Sequence, residues 1–387
     1  MAGRTLAFIT TLLALSCAAP AAAAPIELGV QDDPLIVRLP SAFGGYGAQR
    51  LLAPPRVDAA LDALSVDTVR INVPWALVAG ARPGDPLHLA LYEAAVDRVR
   101  ARGRRVQLTL SGPAPAWASG DGRVGAGAPS ARRYAEFAGA VAARLRGRVT
   151  RFAIWNEPNW WSLLRPHRRA ASIYRRLFLR GAAAIRAADP DAEVLIGELA
   201  PLRQRGAATA PLAFLRRLTC SDDRWRARRG TRCPRLVADG FAHHPYTLQW
   251  APDYPGRGRG DVTMGSLRRL TRALDRLARR RALATPSGRS LPLYLTEWGY
   301  REHVHHVREP QRSAYVRLGL ALAARIRRVR QVVWYQLAGP PKATLASWDS
   351  GLLGPRGTPR PVFRAVRGWS RARPKRPPSP VAGVGGF

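Results

Sequence analysis

Phe152-Ala153-Ile154-Trp155-Asn156-Glu157-Pro158 is an apolar run that breaks on a polar pair and a proline. An apolar run without alternation is the pattern of a parallel strand covered on both faces. It leaves one carboxylate, Glu157, where the strand runs out. Leu293-Tyr294-Leu295-Thr296-Glu297-Trp298 repeats the arrangement and delivers Glu297. Six more runs of this kind occur: Leu28–Gln31, Thr68–Val73, Val106–Leu110, Val194–Ile196, Gly240–His243 and Val332–Tyr335. With Phe152–Trp155 and Leu293–Thr296 they make eight expected strands.

The segments between them carry helical spacing. Ser130 can cap a helix in which Tyr134, Phe137, Ala138, Val141 and Leu145 recur on one face, with Gly147 past its end. Ala170 to Ala188, Leu267 to Ala282 and Gln311 to Ile326 show similar stripes. Alternating strands and helices predict an α/β fold, a single-domain (β/α)8 barrel over residues 25–370. A doubly wound sheet would place a glycine-rich phosphate loop after its first strand, and Leu28-Gly29-Val30-Gln31-Asp32-Asp33 provides none. The glycines of Gly122 to Gly127 precede Ser130 and read as loop.

Both ends read as outside the barrel. Arg4, the apolar stretch Leu6 to Leu15 and the small residues up to Ala24 have the order of a secretory signal, so residues 1–24 are expected to be removed and the protein secreted. Ser16-Cys17 lacks the upstream leucine of a lipid-attachment signal. Residues 371–387 are rich in proline, glycine and arginine and predict a disordered tail. No later apolar run approaches the roughly 20 residues of a membrane-spanning helix. Cys220 and Cys233 then read as one disulfide, since no histidine sits beside them at metal-ligand spacing.

The formal net charge is +36, and only Lys342 and Lys375 among the 62 basic residues are not arginine. The arginines are spread evenly with alanine and proline, as GC-rich coding would produce. No basic stripe interleaved with aromatics is present, which speaks against specific nucleic-acid binding. Weak attraction to anionic cell-wall polymers remains an expectation, as does a monomeric state.

In such barrels the site lies at the C-terminal ends of the strands. Glu157 follows the fourth expected strand and Glu297 the seventh, so only folding can join them. Two carboxyl groups facing each other across a narrow mouth suit glycosidic bond cleavage, one as acid and one as nucleophile. Other residues could sort the pair. Arg70 and Tyr246 could stabilise the Glu297 anion, Asn156 could hold a sugar 2-hydroxyl, and His244 could orient Glu157. Asn72 shares the face of Arg70, whereas His243 should face away by strand alternation.

Arg70, Asn156-Glu157-Pro158, His244-Pro245-Tyr246, Thr296-Glu297-Trp298 and Trp334, in this order and on these strands, resemble clan A of the retaining glycoside hydrolases. Within that clan the chain looks most like the cellulase-like family 5 and the xylosidase-like family 39. Ser350-Gly351-Leu352-Leu353 and Thr358 to Phe363 look like the close of such barrels, so the likeness runs from Ile26 to Arg367. It implies retaining hydrolysis of a β-linked polysaccharide or oligosaccharide, with Glu157 as acid/base and Glu297 as nucleophile. Trp334 would be the aromatic floor under the sugar. No metal and no cofactor are implied.

Trp160 and Trp161 beyond Glu157, Trp117 after the third strand and Trp250 after the sixth could stack on sugars or merely pack. Glu198, after the fifth expected strand, could take a binding role or simply face the barrel mouth. His303, His305 and His306 could bind a metal or line the rim. Two other classes of function stay open: a catalytically silent glycan-binding barrel, and a basic nucleic-acid binder.

Overall fold

The structure, a computed structural model, describes residues 25–38, 52–228, 230, 233–341 and 348–373. The expected signal segment lies outside these residues, as does the chain after residue 373. Eight parallel strands close a barrel: β1 (Glu27–Gln31), β2 (Thr68–Pro74), β3 (Arg105–Ser111), β4 (Arg151–Ile154), β5 (Glu193–Leu199), β6 (Gly240–His243), β7 (Leu293–Trp298) and β8 (Val329–Tyr335). Each pairs with its neighbours in sequence, and β8 closes on β1 with Gly29 opposite Val333 and Gln31 opposite Tyr335. This is the (β/α)8 architecture expected from the apolar runs. Leu236–Val237 and Leu283–Ala284 add a small parallel pair outside the barrel.

Helices form the outer ring. Ser130 caps Ala131–Arg144, its Oγ accepting the Arg133 N–H at 3.4 Å. Ala170–Ala188 runs as its stripe predicts, and Leu267–Arg279 and Gln311–Ala324 stop a few residues earlier than theirs. Leu270, Leu274 and Leu277 of the third helix are buried against the sheet, whereas Arg268, Arg272 and Arg276 face water. The last helix, Pro361–Ala372, overruns the expected domain end at 370. Arg373 beyond it is buried and donates to Ile26 O at 2.8 Å and Asp67 Oδ2 at 2.5 Å. Those two bonds tie the end of this helix to the segments before β1 and β2.

Strand alternation divides the lumen into layers. At the N-terminal end Arg151 donates to Glu27 through Nη1 at 2.7 Å and Nη2 at 2.9 Å, both side chains buried. Ala153, Leu195, Ala242 and Tyr294 fill the next layer. Gly240 leaves room for that ring, because a Cβ there would sit 2.2 Å from Tyr294 Cε2. Above this apolar plug the lining turns polar, with Gln31, Arg70, Asn72, Thr109, Glu198 and Thr296. Among the described residues no helix is long and apolar enough to cross a membrane.

Candidate active site

The polar upper layer is organised around Arg70, a fully buried guanidinium on β2. Its Nη1 donates to Glu297 Oε2 at 3.1 Å and to Gln31 Oε1. Nη2 donates to Glu198 Oε2 at 2.9 Å and Asn156 Oδ1 at 3.0 Å, and Nε to Thr109 Oγ1 at 3.1 Å. One planar cation thus ties together the ends of β1, β2, β3, β4, β5 and β7. Asn156 spends its oxygen on Arg70 and lines the neighbouring cavity.

Glu297 ends β7 with its side chain 12% exposed. Its second oxygen, Oε1, accepts the Tyr246 hydroxyl at 2.9 Å. Burial, and then the Glu297 charge, push the Tyr246 phenol well above its ordinary value, so it stays a donor. Glu157, 19% exposed, contacts His244 Nδ1 through Oε1 at 2.9 Å. The same nitrogen lies 3.9 Å from Glu297 Oε2, and His244 Nε2 lies 2.6 Å from Glu198 Oε2. Burial opposes a charge on His244. The Glu297 charge and the bonds to Glu157 and Glu198 outweigh burial and raise its pKa to about 10.

The chain bends sharply after β4 to present Asn156 and Glu157. Trp155 and Glu157 have φ of 62° and 40°, and Glu198 51°, all in the left-handed region that non-glycine residues seldom occupy. Local packing holds them there. The buried Trp155 indole donates to Leu163 O at 2.9 Å, and its ring occupies the space a side chain at Gly112 would need. Glu157 N donates to Glu198 O at 2.9 Å, which stitches the ends of β4 and β5 together. Asn159 adds bonds to Ala200 N and O at 2.9 Å each.

Arg70, Asn156, Glu157, His244, Tyr246 and Glu297 therefore meet in one cluster. Two expected aromatics do not join it. Trp334 is buried behind the wall, its Nε1 donating to Ser350 O at 3.0 Å and its ring packed edge-on against Trp298. The reason is register: Val333 faces Gly29 across the lumen seam, so alternation sends Trp334 outward and Tyr335 inward. Tyr335 is half-buried and meets Trp348, which in turn packs against Tyr246, forming an aromatic wall beside Glu297. Trp117 is fixed elsewhere, with Nε1 donating to Gly80 O at 3.1 Å and its ring edge-on to Trp75. Trp160 is half-buried in the turn after Glu157, while Trp161 and Trp250 stand 43% and 42% exposed.

Sequence reasoning gave no role to Gln31, Thr109, Tyr335 or Trp348 and underrated Glu198, a central acceptor. His303 pairs with Asp349 at 2.7 Å, and among the described residues no group of three or more His, Cys, Asp or Glu is placed to hold a metal. His243 turns from the cluster and bonds Val262 O at 2.7 Å; burial lowers its pKa to about 3. Cys220 and Cys233 are joined in a disulfide. Beside Asn156, a cavity of about 720 Å³ opens between the loops after β2, β3 and β4, lined by Asn72, Leu77, Pro113 and Trp155.

No family model matches the sequence, and no curated protein matches it. Solved structures do match the fold, among them several glycoside hydrolases. A family 39 glycoside hydrolase from Bacteroides cellulosilyticus WH2 superposes at TM-score 0.62 with 17% identity, over 90% of this chain and 64% of that one. The present chain thus spans less than two thirds of that neighbour. GH5_18 from Streptomyces cattleya, in complex with GlcNAc, superposes at 0.62 with 18% identity, over 90% and 80% of the two chains. A GH5-4 broad-specificity endoglucanase from Clostridium acetobutylicum gives 0.57 with 16% identity, over 88% and 96%. At these identities the likeness is one of fold.

Proposed function

We propose that this chain is a secreted glycosidase that hydrolyses O-glycosidic bonds of a β-linked glycan with retention of configuration. The observation that carries the reading is the convergence of Glu157 and Glu297 on one nitrogen, His244 Nδ1, at 2.9 and 3.9 Å. Two oxygens so placed are less than about 7 Å apart, and any bend at the nitrogen brings them closer. Retaining enzymes hold their carboxyl groups about 5–5.5 Å apart and inverting ones about 6.5–9.5 Å. The glycoside hydrolase neighbours support the reaction class.

Glu297 is the nucleophile. Both its oxygens accept hydrogen bonds, from Arg70 and Tyr246, as suits a carboxylate. It attacks the anomeric carbon and forms a glycosyl ester. Glu157 protonates the leaving oxygen as the old bond breaks. Glu157, now a carboxylate, takes a proton from water, and that water's oxygen attacks the anomeric carbon and frees Glu297. The NH2 of Asn156 binds the sugar 2-hydroxyl, a contact that strengthens as positive charge builds on the ring. Tyr335 and Trp348 supply the apolar wall assigned to Trp334 from sequence.

Glu297→Gln tests the reading. The amide cannot form the ester, so turnover should fall by about 10³-fold or more while the melting temperature changes little. Full activity in that variant would remove Glu297 from the mechanism. Binding without release of reducing ends across a broad glycan panel would instead identify a silent glycan-binding barrel.

A further inference from the structure

Glu198 stands in none of the motifs that mark the site, yet both Arg70 and His244 reach it. It ends β5 and is fully buried. Its Oε2 accepts from His244 Nε2 at 2.6 Å, Arg70 Nη2 at 2.9 Å and Thr296 Oγ1 at 3.0 Å. Its Oε1 accepts from Thr109 Oγ1 at 3.3 Å. Burial would raise its pKa, but the Arg70 charge and the bond from His244 outweigh burial and hold it below the usual carboxylate value. Glu198 is the anion, and His244 Nε2 carries its hydrogen.

We propose that Glu198 is a third functional carboxylate of the site, a positioning residue that locks the His244 ring and keeps a proton on the contact between His244 Nδ1 and Glu157. This rests on the reading of Glu157 as acid/base. With Nε2–H committed to Glu198, Nδ1 and Glu157 Oε1 are 2.9 Å apart. Without a hydrogen between them two lone pairs would face each other. That hydrogen sits on Nδ1, so His244 donates to Oε1, and the proton that Glu157 delivers as acid sits on its other oxygen, Oε2.

The charges around the ring favour keeping it. Glu157 faces His244 from β4, Glu198 from β5 and Glu297 from β7. Arg70 reaches it from β2 through Glu198 and Glu297. His243 and Tyr246 flank it on its own segment, the former uncharged because burial lowers its pKa to about 3. Burial opposes the ring's charge, and the Glu297 and Glu198 carboxylates together with the acceptor oxygen of Glu157 outweigh it. When Glu157 gives up its proton to the leaving oxygen, the Nδ1–H bond steadies the carboxylate that results. Glu198 is unchanged through both half-reactions.

Glu198→Gln removes the charge and keeps the size. Loss of a nearby anion lowers the proton affinity of His244. The alkaline limb of kcat/KM should move to lower pH by roughly one unit or more, and kcat/KM at neutral pH should fall at least about tenfold. Glu198→Asp retains the charge one methylene further back, so its limb should stay near that of the wild type even if kcat drops. A uniform loss at every pH, with the limb unmoved, would reduce Glu198 to scaffolding and overturn the proposal.

A second readout needs no substrate. In 15N spectra of the imidazoles, His244 should be doubly protonated at pH 8 in the wild type, and it should lose its second proton at a pH lower by roughly one unit or more in Glu198→Gln. A singly protonated His244 in the folded wild type at pH 8 would also overturn the proposal. If the spectra behave as stated while no glycoside is ever turned over, the glycosidase reading fails and the role of Glu198 toward His244 stands.

Discussion

Replacing Glu27 by glutamine should cost this barrel about 3 kcal/mol at pH 7 and much less in acid. Glu27 lies at the closed end of the lumen, fully buried, and accepts both ends of the Arg151 guanidinium and the Thr68 hydroxyl. Burial alone would raise its pKa. The Arg151 charge and hydrogen bonds overcome burial and bring it from 4.5 to about 2. At about 1.4 kcal/mol per unit, that shift amounts to about 3 kcal/mol of stability at neutral pH. Truncating one partner of a buried ion pair costs about 3–5 kcal/mol by experience with other proteins, so the two routes agree. A folded-state pKa below the unfolded one gives stability that is present above pH 4.5 and lost as pH falls toward 2. Urea unfolding of wild type and Glu27→Gln at pH 7 and pH 3 checks this. The gap should shrink from about 3 to about 1 kcal/mol. An equal gap at both pH values would refute the charge-based account, and a gap under about 1 kcal/mol at pH 7 would refute the magnitude. Glu27 is at the end opposite the site, so the folded variant should keep its kcat.

Other perturbations separate packing from function. Tyr246→Phe keeps the ring against Trp348 and removes one bond to the Glu297 carboxylate, worth about 1.5–3 kcal/mol, so kcat/KM should fall by about 10–150-fold with little change in Tm. Trp334→Phe should lower stability by about 1–3 kcal/mol and leave KM unaltered, whereas Tyr335→Ala should raise KM several-fold; the reverse pattern would restore Trp334 as the sugar floor. Reducing Cys220–Cys233, which closes a loop across 13 residues, should lower the urea midpoint by the equivalent of about 2–3 kcal/mol, read by unfolding with and without reductant.

Much of this architecture was legible because parallel strands and their covering helices imprint local patterns. Phe152–Ile154 and Leu293–Leu295 are apolar throughout since both faces are covered, and the capping of Ala131–Arg144 by Ser130 is written within four residues. Glu157 and Glu297 could be placed because a strand end is a local event. The parity of a strand is not. Which of Trp334 and Tyr335 enters the lumen depends on β8 meeting β1 across the closing seam, about 300 residues away in sequence. Glu198 was underrated for a related reason. Nothing near it in sequence shows that Arg70, Thr109, His244 and Thr296, from four other segments, will converge on its oxygens. Trp117 looked like a sugar platform because it follows a strand in a proline-rich loop, but its partners Trp75 and Gly80 come from the loop after β2. Arg373 sits in a stretch whose composition reads as tail, and its order comes from acceptors at Ile26, Ser65 and Asp67.

The most direct measurement is covalent trapping. Wild-type protein would be treated with a panel of mechanism-based glycosidase probes of differing sugar configuration, digested, and mapped by mass spectrometry. A single adduct on the Glu297 carboxyl, absent in Glu297→Gln, is the expected result, and the sugar that labels fastest identifies the glycone. An adduct on another residue, or turnover of a glycoside with inversion and no adduct, would contradict the assignment of Glu297 as nucleophile and Glu157 as acid/base.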